Sequence, residues 1–201
     1  MTAYAIVGNA PVAIDYGSDI DTASCVIRCN TCPNFGVNTG RKIDIVAICN
    51  WGTPARKVLQ SWAEGNAALR QANRLLLSVD SPAPKSFLKR LRRSFRKSKD
   101  HTTEIIRHIA DGRQVARIAT AESRALTRRL RELGAEDEAM PSTGLMVINH
   151  VLRQCTSPRD TVDLYGFTHS GWRGHPWEQE RMLIDEWVAS GRVRRHAPSP
   201  R

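Results

Sequence analysis

The chain has 201 residues, of which 41% are apolar and 25% charged, with a formal net charge of +10. That length suits one domain, able to bury about 70% of the surface that the unfolded chain exposes. No run approaches the roughly 20 apolar residues of a membrane span, and no basic segment leads an apolar run at the N-terminus, so neither a span nor a signal peptide is expected.

In chain order, short runs rich in Val and Ile predict strands at Ala3 to Val7, Ser24 to Cys29, Ile43 to Cys49, Arg74 to Val79 and Thr161 to Tyr165. Helical patterns fill the gaps: Pro54 to Ala72, Pro84 to Lys97, Thr102 to Ala110, Ala121 to Leu133, Thr143 to Gln154 and Trp177 to Ser190. This alternation predicts an α/β protein, a Rossmann-like α/β/α sandwich with a mostly parallel central sheet and right-handed crossovers. In such sheets ligands bind outside the carboxyl ends of the strands, and Asn9, Asn30, Asn50 and Phe167 each follow a strand directly. One domain is expected over residues 1–195, with a basic amphipathic helical insertion at about 82–133 and a disordered basic tail at 196–201.

The cysteines, Cys25, Cys29, Cys32, Cys49 and Cys155, are odd in number and four fall in the first fifty residues, unlike an evenly paired secreted framework. A reducing, cytoplasmic setting is expected, with Cys155 a small buried residue on a helix. Cys25-x3-Cys29-x2-Cys32 has the spacing of a [4Fe-4S] loop, but its first two cysteines lie in an apolar strand pattern that cannot easily wrap a cluster. They read as core residues, and Cys32, on the turn beyond, as an exposed thiol. Asp19-Ile20-Asp21 carries the Asp-x-Asp of metal-dependent transferases, yet it precedes the second strand and reads as structural punctuation. No metal site is expected.

Several segments can carry chemistry. Gly8 permits a sharp turn or a close approach to a ligand, and Asn9 supplies an amide donor and acceptor past the strand, although both are also ordinary turn residues. Ser142-Thr143-Gly144 opens an apolar helix, where hydroxyls cap free N–H groups and a helix N-terminus also favours anions. Tyr165-Gly166-Phe167 ends the last predicted strand, and His175 stands five residues before Glu180.

Val7-Gly8-Asn9-Ala10-Pro11 with Val26-Ile27-Arg28-Cys29-Asn30 resembles the large sialylmotif of glycosyltransferase family 29, the sialyltransferases. Met140 to Val151 with Asp163 to Phe167 resembles the small motif, and His175-x4-Glu180 the very small one. The resemblance covers roughly residues 4 to 50 and 140 to 188. It implies a GT-A-like sandwich and an inverting transfer of an acidic sugar, sialic acid, from a cytidine monophosphate (CMP) sugar donor to a glycan or glycolipid hydroxyl, with no metal and no cofactor. By the same resemblance Asn9 and Asn30 contact the CMP portion, Ser142, Thr143 and Gly144 touch the donor, and Gly166 packs near the ribose. The transfer needs a base for the acceptor hydroxyl, and His175, with an ordinary pKa of about 6.5, suits the task. Glu180 is expected to orient that region or offset charge at the helix start.

The sequence departs from the family pattern in places. The second glycine of Tyr-Gly-Phe-Gly is Thr168, the cysteine that usually precedes Val-Gly-Asn is missing, and the span from Phe167 to His175 is short. In that span the family's His-Tyr pair is replaced by His169-Ser170-Gly171-Trp172-Arg173-Gly174, in which His169 or Arg173 can assist the leaving phosphate.

Lys85 to Lys99 carries eight basic residues and no acid, with Phe87, Leu88, Leu91 and Phe95 at helical spacing. It reads equally as a solvated helix packed on the core or as one resting on an anionic membrane, which would place the protein peripherally at the inner membrane of a bacterium. The same basicity allows a different class, a nucleic-acid-binding protein, but no nucleic-acid motif accompanies it and nucleic acid is not the expected partner. Within the enzyme class, CMP-Kdo is the alternative donor.

Overall fold

The computed structural model describes residues 2–79, 100–155 and 157–196. The Lys85 to Lys99 helix, residues 197–201 of the tail and the side chain of Cys155 lie outside the described residues.

Seven parallel strands form one sheet: β1 (Ala3–Val7), β2 (Cys25–Cys29), β3 (Ile45–Ile48), β4 (Arg74–Leu77), β5 (Gln114–Arg117), β6 (Thr161–Tyr165) and β7 (Arg194–Arg195). Their order is β5-β4-β3-β2-β1-β6-β7. The first five strands are laid down in one direction away from β1, and the chain then returns to its other side. The order therefore reverses between β1 and β6, the place where open α/β sheets form a ligand crevice. The expected α/β sandwich is present, and every pairing between these seven strands is parallel.

Alternation along the strands builds the layers. Ile6, Ile27, Ala47, Leu76 and Leu164 point to one face, beneath helices α5 (Thr120–Glu132), α6 (Thr143–His150) and α7 (Trp177–Ala189). Helix α6 continues as a π-helical turn, Val151–Cys155. On the other face, Val46, Ile48, Leu75 and Leu77 pack under α2 (Gly52–Ala63), α3 (Ala67–Gln71) and the π-helical turn Ile106–Ala110 that extends α4 (Thr102–Ile105). There too Ala5, Val7 and Val26 pack against Ile20 of α1 (Gly17–Thr22).

The structure corrects several boundaries. The helix expected over Pro54 to Ala72 is two, broken at Gly65 (φ +87°), and Asn66 caps the second by accepting from the Leu69 N–H. The stretch 82–133 is not simply a helical insertion, because it contains β5, an edge strand of the main sheet. Gln114–Arg117 and Arg194–Arg195 lack an apolar run and are largely exposed, so pairing with a neighbour, not local pattern, makes them strands. Asp19-Ile20-Asp21 lies in α1, and the Asp21 carboxylate accepts from the backbone N–H groups of Arg41 and Lys42, which is structural punctuation as expected.

The cysteines of β2 are buried in the sheet. Cys32 is buried as well, contrary to its expected exposure: the turn after β2 folds back under Ile43 and Phe35. Burial pushes the Cys29 and Cys32 thiols up to about 12, which makes both inert.

Arg28 is the largest fully buried side chain among the described residues and sits on β2 among apolar neighbours. Its guanidinium donates to the carbonyls of Lys42, Thr39 and Gly40 and to the Thr39 hydroxyl, and it lies 5.3 Å from the Phe35 ring. It thereby holds the long loop between β2 and β3 against the sheet. Arg28→Met should destabilise the protein by about 3 kcal/mol or more, because several buried acceptors lose their donor. A urea titration checks this as a lowered midpoint at unchanged slope.

Candidate functional site

The carboxyl ends of the strands open into a cleft of about 1930 Å³. Gly8 and Asn9 enter it from the end of β1, Asn30 from β2 and Gly166 from β6. Ser142, Thr143 and Gly144 enter from the start of α6, and His169, His175 and Glu180 from the segment that follows β6. Three motifs, the first more than a hundred residues before the other two, thus meet at one edge of the sheet. Arg173 is exposed and does not line the cleft.

Close packing accounts for the glycines. The Gly8 N–H donates to the Tyr165 carbonyl at 2.8 Å, and the Ala10 N–H to Gly166 at 3.1 Å. A Cβ on Gly8 would lie 2.4 Å from the Gly166 carbonyl oxygen, and one on Gly166 (φ +69°) 2.8 Å from that of Ala10. A Cβ on Gly144 would lie 2.6 Å from the Phe167 ring. The approach of the chain to itself is enough to require glycine at these positions. Asn34 secures the same loop by donating to the Gly8 and Ala10 carbonyls at 3.2 and 2.7 Å.

The asparagines divide into two kinds. Asn50 is fully buried and spends its amide on Val79 and the Thr102 hydroxyl, so it ties β3 to β4 and α4 and is unavailable to a ligand. Asn9 is exposed at the cleft. Asn30 holds a left-handed backbone (φ +53°), and its Oδ1 accepts from the Cys49 N–H at 2.9 Å. That bond fixes the orientation of the amide and leaves Nδ2 as a donor for a ligand.

At the start of α6 the Ser142 hydroxyl accepts from the Leu145 N–H at 3.2 Å and donates to Glu180 Oε2 at 2.7 Å, while the Ser142 N–H donates to Glu180 Oε1 at 2.6 Å. The Ser142 side chain is thus committed within the protein. Thr143 and Gly144 remain, with the N–H groups of a helix first turn that have no intrahelical acceptor. Glu180 is 2% exposed, and burial raises its pKa from its ordinary 4.5 to about 7 against the lowering effect of the Ser142 bonds. It joins the last motif to the small one.

His175 sits edge-on between Trp172 and Trp177, with ring centroids 4.9 and 5.0 Å away. Its Nδ1 lies 2.7 Å from the Met140 carbonyl oxygen, which can only accept. The proton is therefore on Nδ1, and Nε2 carries a free lone pair in the neutral ring. Burial lowers the pKa of His175, partly offset by the Met140 bond, so the neutral form is the one present near pH 7. His169 (φ +50°) lies 3.5 Å from Arg195 Nη1, and burial with that charge lowers its pKa to about 4. It is a neutral N–H group at working pH, not a cation.

Sequence reasoning missed the third wall of the cleft. Lys57 of α2, Ser78 at the end of β4, and Arg124 and Arg128 of α5 all line it. The spacing of Thr120, Ser123, Arg124, Thr127 and Arg128 at three- and four-residue steps was the available signal.

The Glu180 carboxyl has a linked consequence. Its folded pKa of about 7 lies above the ordinary 4.5, so the folded state holds the extra proton between these values and stability falls as pH rises through that window. Urea midpoints between pH 5 and 7.5 should show this decline, and Glu180→Gln, which keeps the shape, should flatten it.

Comparisons with known proteins agree with this arrangement. The profile of glycosyltransferase family 29 (sialyltransferase) matches residues 3–189. The chain is 34% identical over 201 residues to a urease operon 23 kDa accessory protein of Rhizobium meliloti (strain 1021), covering 96% of this chain and 92% of that protein. The crystal structure of a mammalian sialyltransferase shares the fold at a TM-score of 0.60 and 19% identity, over 98% of this chain and 70% of that one. With the family profile spanning both the three motifs and the segments between them, this chain belongs to glycosyltransferase family 29.

Proposed function

We propose that the chain is an inverting glycosyltransferase that moves an acidic sugar from a CMP-sugar donor to a glycan hydroxyl. The observation that carries this reading is the convergence, in one cleft at the β1–β6 switch, of a phosphate-compatible helix N-terminus and a histidine whose Nε2 lone pair is fixed by the Met140 carbonyl. In this reading Nε2 of His175 takes the proton of the acceptor hydroxyl as that oxygen attacks the anomeric carbon. The bond from that carbon to the phosphate oxygen breaks on the opposite side, and CMP departs with the electron pair. Asn9 and the Nδ2 of Asn30 hold the nucleotide, and the Thr143 and Gly144 N–H groups face the phosphate or the sugar carboxylate. His169 offers a neutral N–H to the leaving group, and Arg173, outside the cleft, has no part. The reading invokes no metal, and the Asp21 carboxylate is already occupied by backbone donors.

Sialic acid is the donor sugar we favour and Kdo, another acidic 2-keto sugar, the alternative, since a site for one needs little change to accept the other. The urease operon named for the relative places that protein in a genetic setting and describes no chemistry, so the proposal rests on this chain's own cleft.

Calorimetric titration with CMP, uridine diphosphate and a short DNA duplex tests the donor class. CMP is expected to bind selectively, with at least about tenfold loss in Asn30→Ala, as expected for a charge-assisted hydrogen bond. Salt-sensitive duplex binding without nucleotide binding would overturn the reading. His175→Ala should lower kcat by about 100-fold or more while CMP affinity stays nearly unchanged, as for loss of a general base. Because the neutral ring is the active form and its pKa is lowered, the acid limb of the kcat/KM profile should fall below pH 6.5. Equal losses of binding and turnover in His175→Ala would make the residue structural.

A further inference from the structure

Helix α5 is two-sided. Leu126 and Leu130 are buried in the core, whereas Thr120, Ser123, Arg124, Thr127, Arg128 and Arg131 line the cleft. Arg131 is held by Asp137, with 3.3 Å between Nε and Oδ1. Arg124, Arg128 and Lys57 have no acidic partner among the described residues. Arg124 and Arg128 stand one turn apart on one face, an arrangement that repels and weakens a helix unless an anion sits between them. Glu138, which also lines the cleft and has no basic partner among the described residues, is a single charge against three.

A second observation is independent of charge. The Ser78 hydroxyl, in a residue 1% exposed, and the Ser123 hydroxyl are both buried with no hydrogen-bond partner among the described residues, and both residues line the same cleft as these cations. Buried hydroxyls are normally satisfied, and an unsatisfied pair at a cleft wall marks where a polar ligand completes the bonding.

Topology separates this wall from the donor groups. Ser78 follows β4, α5 follows β5 and Lys57 lies on the helix after β3, whereas Gly8, Asn9, Asn30 and Gly166 stand at the ends of β1, β2 and β6. The charges therefore lie away from the strand ends that carry Gly8, Asn9, Asn30 and Gly166, while α5 packs on α6, whose first turn holds Thr143 and Gly144. We infer that the α5 face, with Lys57 and Ser78, is the acceptor subsite and that it selects a glycan carrying an anionic group, a carboxylate or a phosphate. Arg124, Arg128 and Lys57 pair with that group, and Ser78 and Ser123 bond to sugar hydroxyls. The assignment as acceptor rests on the glycosyl-transfer reading above; the anion subsite itself does not.

The test is calorimetric titration of the CMP-saturated protein with tetragalacturonate, mannose 6-phosphate and neutral maltotetraose at one fixed ionic strength. It is repeated on an Arg124→Ala/Arg128→Ala variant and on a charge-matched Arg74→Ala/Arg159→Ala control, whose exposed residues lie at the opposite end of the strands. The expected result is binding of one or both acidic ligands over maltotetraose, weakened by about tenfold or more in the α5 variant and unchanged in the control, with CMP affinity kept within about twofold. Which acidic ligand binds distinguishes carboxylate from phosphate. Equal binding of acidic and neutral ligands overturns the subsite because no anion is selected, and equal loss in the control overturns it because the effect would be net charge alone. A parallel fall in CMP affinity also overturns it by moving the cations to the donor. If the unmodified protein binds no CMP, the transfer reading fails, while the same acidic and neutral arms, run without CMP, still decide the anion subsite.

Discussion

The backbone contact between the ends of β1 and β6 is the constraint on which the site depends. Gly8 and Gly166 approach so closely that a single Cβ on Gly8 would lie 2.4 Å from a carbonyl oxygen. This contact stands where the strand order reverses, so it sets the width of the crevice between the first motif and the small motif. Phe167 then carries the constraint into the helical layer by packing its ring on Gly144, at the start of α6. Three glycines in three distant segments serve one geometry. Their substitution would move backbone, since two of the three meet carbonyl oxygens and not flexible side chains.

A second link fastens the remaining motif. The buried Glu180 carboxylate receives both the hydroxyl and the N–H of Ser142, so the helix that follows the histidine is bonded to the one that opens with Ser-Thr-Gly. The Met140 carbonyl, two residues before Ser142, receives the His175 Nδ1 proton. The loop before α6 therefore positions the histidine and Glu180 together. This is how a residue expected to act on the donor, Ser142, comes to work inside the protein: its hydroxyl donates its one hydrogen bond to Glu180. The histidine gains a defined tautomer from the same loop, which is what a general base requires.

Electrostatics divide the cleft by flank. Around His169 and His175 burial favours neutral rings, while the α5 wall keeps exposed guanidinium groups. In the proposed reading, a neutral His175 as base and cations at the periphery suit charged substrates, because the cations attract without consuming the base.

The sequence by itself determined the fold class, the five main strands and the grouping of three motifs, because strands buried on both faces must be continuously apolar and turn chemistry at their ends is local. Gly8, Asn30, Ser142 and His175 were singled out by the family resemblance, since turn chemistry alone does not separate them from ordinary loop residues. The tertiary structure alone decided which of those side chains remain free. Asn50 and Asn30 both follow strands, yet the amide of Asn50 is spent on β4 and α4 while Asn30 keeps Nδ2. Cys32 is buried because its turn folds under Phe35, and Arg173 falls outside the cleft although Trp172 and His175 line it. The edge strands β5 and β7 exist only through pairing, and the α5 wall only through the way that helix is seated. Hydrogen-bond partners and burial arise between segments far apart in the chain, so no local pattern specifies them.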